Sequence, residues 1–104
     1  NCIGATIFGE NRIYVSESGA TLHEFGHFYD SLLGFPEEHD RLYELEAANA
    51  PMSEHAKSSS LEYFAEFFAY WCSGNTRTLT LLKELTPETY AYFEALSSRN
   101  FSVE

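Results

Sequence analysis

Apolar residues recur along this chain with two different periods. Residues 2–8 (CIGATIF) and 12–16 (RIYVS) are rich in β-prone side chains, and Gly9-Glu10-Asn11 between them offers turn chemistry. This pattern predicts an N-terminal β-hairpin. From Ala20 to Leu33 the period changes. Leu22, Phe25, Phe28, Tyr29, Leu32 and Leu33 follow helical spacing with no proline, and Gly34 supplies a stop. Pro36 suits the first turn of a second helix, with Glu37 and Glu38 where the helix dipole favours acids. Leu42, Leu45 and Ala48 form its expected apolar stripe, and Asn49-Ala50-Pro51 end it. Residues 50–58 read as a polar loop holding His55. Ser59-Ser60-Leu61-Glu62 then has the Ser-x-x-Glu form of a capping box, and the helix it opens closes at Gly74. Tyr63, Phe64, Phe67, Phe68, Tyr70 and Trp71 make that helix apolar nearly all round, so it should be central. Thr76–Leu85 and Pro87–Leu96 read as two packing helices, with Thr86 capping the last and Pro87 at its first position. The expected fold is α+β and mostly α.

Two charged positions break the apolar pattern of the third helix. Glu62 and Glu66 lie four apart, on one face of a helix that should be buried. A buried carboxylate is costly unless it is paired or bound to a metal. Ala65 and Ala69 flank the same side and would allow another helix to come close. Further ligands for such a metal are expected on the first helix, which carries His23-Glu24-Phe25-Gly26-His27. Histidines at i and i+4 share a helix face, so both imidazoles can reach one zinc ion. The glutamate between them is then placed to act as general base towards the water that zinc activates. With 4 His and 14 Glu in 104 residues, this pattern is expected by chance only about 0.02 times.

A catalytic zinc takes three protein ligands. His23 and His27 supply two, and His39, His55 or one of many carboxylates could supply the third. Glu62 is the expected third ligand, because its helix can least accommodate an unpaired charge; its competing role is to close the capping box. Glu66 and Asp30 are candidates to hold the far nitrogen of a ligating histidine, each with a surface or ion-pair alternative.

Composition narrows the partners. At 104 residues the chain is expected to form one domain, residues 1–104, and 44% hydrophobic content excludes disorder. A formal charge of −10 argues against nucleic acid, whose phosphates need Lys and Arg. It could steer a basic substrate, although an acidic solvated surface is the commoner explanation. No apolar run is long enough for a membrane span. Cys2 and Cys72 would suit a secreted domain if paired and a cytoplasmic one if free. Because the chain begins at Asn1 rather than Met, it is expected to be a piece of a longer protein.

TLHEFGHFYDSLLG followed by LEYFAEFFAYW resembles the catalytic domain of anthrax lethal factor and the secreted bacterial Pro-Pro endopeptidases. The resemblance covers roughly residues 12–72. HExxH is shared by many zinc peptidases, whereas the glutamate-aromatic run is far more specific. The resemblance implies a zincin-like zinc endopeptidase with Zn²⁺ on His23, His27 and Glu62, Glu24 as base and Glu66 nearby. It further implies that a peptide or protein substrate docks by strand addition on an edge strand at about Ile13 to Ser16. It points to a secreted protein. There is one departure: the family places a tyrosine, thought to stabilise the developing oxyanion, seven residues before the ligand glutamate. That position here is His55, which could donate a similar hydrogen bond. The alternative is a toxin-related binding domain that keeps the fold and is catalytically silent. A phage-repressor type of HExxH peptidase ranks below both, because its glutamate context differs.

Overall fold

The computed structural model describes residues 19–73, 75–99 and 101. Its elements, in order, are α1 (Gly19–Leu33), α2 (Glu37–Glu46), short 3-10 turns at Ala47–Asn49 and His55–Lys57, α3 (Ser60–Ser73), α4 (Thr76–Leu85) and α5 (Pro87–Ser98). Every regular element among the described residues is therefore helical. The α+β expectation is corrected to an all-helical arrangement for these residues. It had rested on the β-prone runs of residues 2–16; the hairpin, and the edge strand at Ile13 to Ser16, lie outside the described residues.

Helix α3 is the axis of the core, as its aromatic load predicts. Tyr63, Phe64, Ala65, Phe67, Phe68 and Ala69 are all buried. The Phe93 ring of α5 packs between Phe67 at 4.7 Å and Phe64 at 5.1 Å, and Tyr29 of α1 packs on Phe64 and Phe68. Each such ring stabilises the fold by about 1.5–3 kcal/mol relative to an exposed one. At its start, the Ser59 hydroxyl accepts the Glu62 N–H at 3.2 Å, which is one half of the expected capping box.

Helix α1 ends where Gly34 takes φ +84°, and the Phe35 N–H closes back onto the Asp30 carbonyl at 3.1 Å. Pro36 is the N-cap of α2, one position before its expected place in the first turn. The buried face of α2 also differs from the expected stripe. His39, Leu42 and Glu46 point inward, while Leu45 is 54% exposed and Ala48 is exposed. The reason is that both polar groups have partners inside. His39 bonds Asp30 and Tyr92, and Glu46 bonds the start of α5. That second partnership replaces the expected Thr86 cap. The Thr86 hydroxyl donates instead to the Leu82 carbonyl, and the Glu46 carboxylate accepts the Glu88 and Thr89 N–H groups at 2.8 Å each. Pro87 does occupy the first turn of α5. The Tyr43 hydroxyl donates to the Lys57 carbonyl at 2.6 Å, tying the segment that carries His55 to α2.

Candidate metal centre

Helices α1 and α3 cross at their smallest residues. A Cβ added to Gly26 would lie 2.7 Å from both the Cα and the carbonyl oxygen of Ala65, so the two backbones touch. This contact lies between His23 and His27 on one helix and between Glu62 and Glu66 on the other. It brings the four side chains together.

His23 Nδ1–H donates to Glu66 Oε1 at 2.7 Å, which leaves the Nε2 lone pair of that ring facing the centre. There it lies 3.0 Å from Glu62 Oε1 and 3.1 Å from His27 Nε2. Glu62 Oε2 is 3.3 Å from His27 Nε2, and the two imidazoles meet edge to face. The group His23, His27 and Glu62 offers three ligand atoms all within 4.8 Å of one another. Ligands about 2.0–2.2 Å from a tetrahedral ion stand a little over 3 Å apart, so this spacing suits one ion. The donor chemistry suits it as well. Two ring nitrogens and a carboxylate are acceptor-rich, and among the described residues no Lys or Arg lines the cleft. A cation is the natural complement, and two imidazoles with a carboxylate form a set that zinc takes.

The cleft is open, with a volume of about 490 Å³, and Glu24 and His55 line it beside these residues. Glu24 is exposed at its mouth. His55 opens its 3-10 turn with a side chain 79% exposed, and its Nε2 reaches Glu62 Oε1 at 3.3 Å.

The family profile described as anthrax toxin lethal factor, N- and C-terminal domain, matches residues 8–96. The chain belongs to this family. That description names a toxin and its domains, not an activity. No curated protein and no solved structure matches the chain.

For this lethal factor family member, the fold brings together most of the residues singled out in the sequence: His23, Glu24, His27, His55, Glu62 and Glu66 share one cleft. Asp30 does not join them. Its Oδ1 accepts from His39 Nδ1–H at 2.8 Å in the interior, and its Oδ2 has no hydrogen-bond partner. The expectation that Asp30 holds a histidine of the motif is thus corrected, because His39 of α2 reaches it first. Gly26 was missed as a site residue, although it stands inside the motif; its signal was the pair of small residues, Ala65 and Ala69, on the facing helix.

Proposed function

We propose that this chain is a zinc-dependent endopeptidase of the lethal factor family, with Zn²⁺ held by His23, His27 and Glu62. The observation that carries this reading is the convergence of two ring nitrogens and a carboxylate in one cleft, with Glu66 fixing the far nitrogen of His23. Bound there, zinc would supply a Lewis acid that polarises the scissile carbonyl and eases deprotonation of water. Glu24 follows His23 by one residue, about 100° round the helix, so its carboxylate faces the cleft beside the ligands. It takes the proton of the attacking water and passes it to the departing amine. His55, freely exposed at the rim, donates a hydrogen bond to the oxyanion as the carbonyl turns tetrahedral. A pairing of Cys72 with Cys2 would fit an oxidising, extracellular address. Among the described residues, no helix is long and apolar enough to cross a membrane.

The test pairs metal content with turnover on a degenerate peptide library, with and without a chelator. Chelation is expected to abolish cleavage. Glu24→Gln should keep zinc and lose about 10²–10⁴-fold in rate. His55→Phe should keep zinc and lose on the order of 10²–10³-fold. Full turnover by Glu24→Gln would overturn the mechanism. A zinc-loaded chain that cuts nothing would hand the site to the silent binding-domain alternative.

A further inference from the structure

Away from the cleft, His39 is buried where three helices meet. Its Nδ1–H donates to Asp30 Oδ1 of α1 at 2.8 Å, and its ring lies flat on Phe64 of α3, with centroids 4.0 Å apart and planes within 13°. The third contact is Tyr92 of α5, whose hydroxyl is 2.7 Å from Nε2. Burial pushes the Tyr92 phenol up to about 12, so this hydroxyl keeps its proton and acts as a donor rather than a nucleophile. The Asp–His–Tyr chain lies apart from the residues that line the cleft. Its placement suggests another role. Asp30 stands three residues after His27, and Phe64 stands two residues after Glu62. One imidazole thus grips both helices that carry the candidate ligands, each within a turn of a ligand.

We propose that His39 is a positioning residue: by bonding Asp30 and stacking on Phe64, it fixes α1 against α3 and so sets the affinity and coordination geometry of the His23/His27/Glu62 site. This inference rests on the metal reading above. The Gly26–Ala65 contact sets how closely the helices approach, and Tyr29 packs on Phe64 and Phe68 beside it, but neither contact is a directional bond. His39 adds a directional restraint one turn further along α1, through its hydrogen bond to Asp30 and its planar stack on Phe64. The bond to Tyr92 holds the ring from α5 and touches neither ligand-bearing helix.

The probe is Co²⁺ alone, read by its visible absorption and by titration of the metal-free protein, beside thermal unfolding of the same samples. Wild type should bind one Co²⁺ with the band intensity of a four-coordinate site; if it binds none, the metal reading itself fails and is distinguished from this proposal. His39→Phe keeps the stack and loses the bond to Asp30. It should weaken Co²⁺ about 10- to 100-fold, the range found when groups behind metal ligands are removed, and change the band shape. His39→Asn keeps a donor for Asp30 and should recover part of that loss; if His39→Phe does not fold, the Asn variant, which lacks the stack, takes over both readouts with a smaller expected loss. Tyr92→Phe should lower the melting temperature and leave affinity and spectrum unchanged. The proposal is overturned if a folded His39 variant binds Co²⁺ with wild-type affinity and spectrum, or if Tyr92→Phe weakens binding as much as His39→Phe does.

Discussion

Glu46 shows how one residue can carry a helix boundary that no local window reveals. Its two oxygens accept the Glu88 and Thr89 N–H groups and the Thr89 hydroxyl, which in turn pairs with the buried Tyr63 hydroxyl. Thr86-Pro87 looks like a cap in the sequence because threonine followed by proline is a common helix entry. The real cap stands 42 residues before Glu88. For the same reason the inward face of α2 could not be read from hydropathy: the expected stripe of Leu42, Leu45 and Ala48 included neither Glu46 nor His39, and distant partners make both interior. Glu46→Ala should destabilise the fold by about 1–3 kcal/mol, since buried donors lose their acceptor. Glu46→Gln, which keeps one carbonyl oxygen, should cost less. Urea unfolding of the two variants checks the order. Equal midpoints for wild type and Glu46→Ala would show that water caps α5 equally well.

Between elements, the decisive feature is the backbone contact of α1 with α3. Much of this was legible. The histidine pair, the following aromatic-glutamate run and the small residues Ala65 and Ala69 all stand in the sequence with helical spacing. What sequence spacing could not give was the registration of one helix on the other, because that depends on three-dimensional crossing and on the His39 bridge. Gly26→Ala tests the crossing. A methyl group 2.7 Å from backbone atoms of Ala65 has no flexible neighbour to displace, so the helices must part. The expected cost is about 1–3 kcal/mol in stability. The larger consequence belongs to the site: separation of α1 from α3 pulls both histidines away from Glu62. Metal affinity should therefore fall by more than the loss of stability alone would explain, as measured by Co²⁺ titration well below the melting temperature. Unchanged affinity would mean that Glu62 follows α1 by side-chain rotation.

At the scale of the whole molecule, the aromatic density read from the sequence does become a core built around α3, and the helical order of residues 19–98 follows the predicted one. The corrected fold class came from treating β-prone runs as part of the same architecture; the described core is rings packed between helices, with Ala47, Ala50, Leu82 and Leu96 filling around them. That packing makes a prediction about alkaline pH. Tyr29 and Tyr63 are fully buried and Tyr92 is half-buried, and burial, the leading cause in each, pushes all three phenols from 10.0 up to about 12. Below about pH 10 the folded and unfolded chains both hold these protons, and the stabilising contribution is intact. As pH rises from about 10 to about 12, the unfolded chain releases protons that the folded chain retains. Stability must then fall with rising pH, by up to about 2–3 kcal/mol for each fully buried phenol. The expected observation is cooperative: near-ultraviolet phenolate absorbance from the core tyrosines should appear together with loss of helical circular dichroism, not before it. Tyr63→Phe should blunt the alkaline sensitivity while slightly lowering stability at neutral pH, because the Thr89 hydroxyl loses one of its two partners and keeps Glu46. Phenolate absorbance that saturates while the helices stay intact would show that the core opens to hydroxide without unfolding.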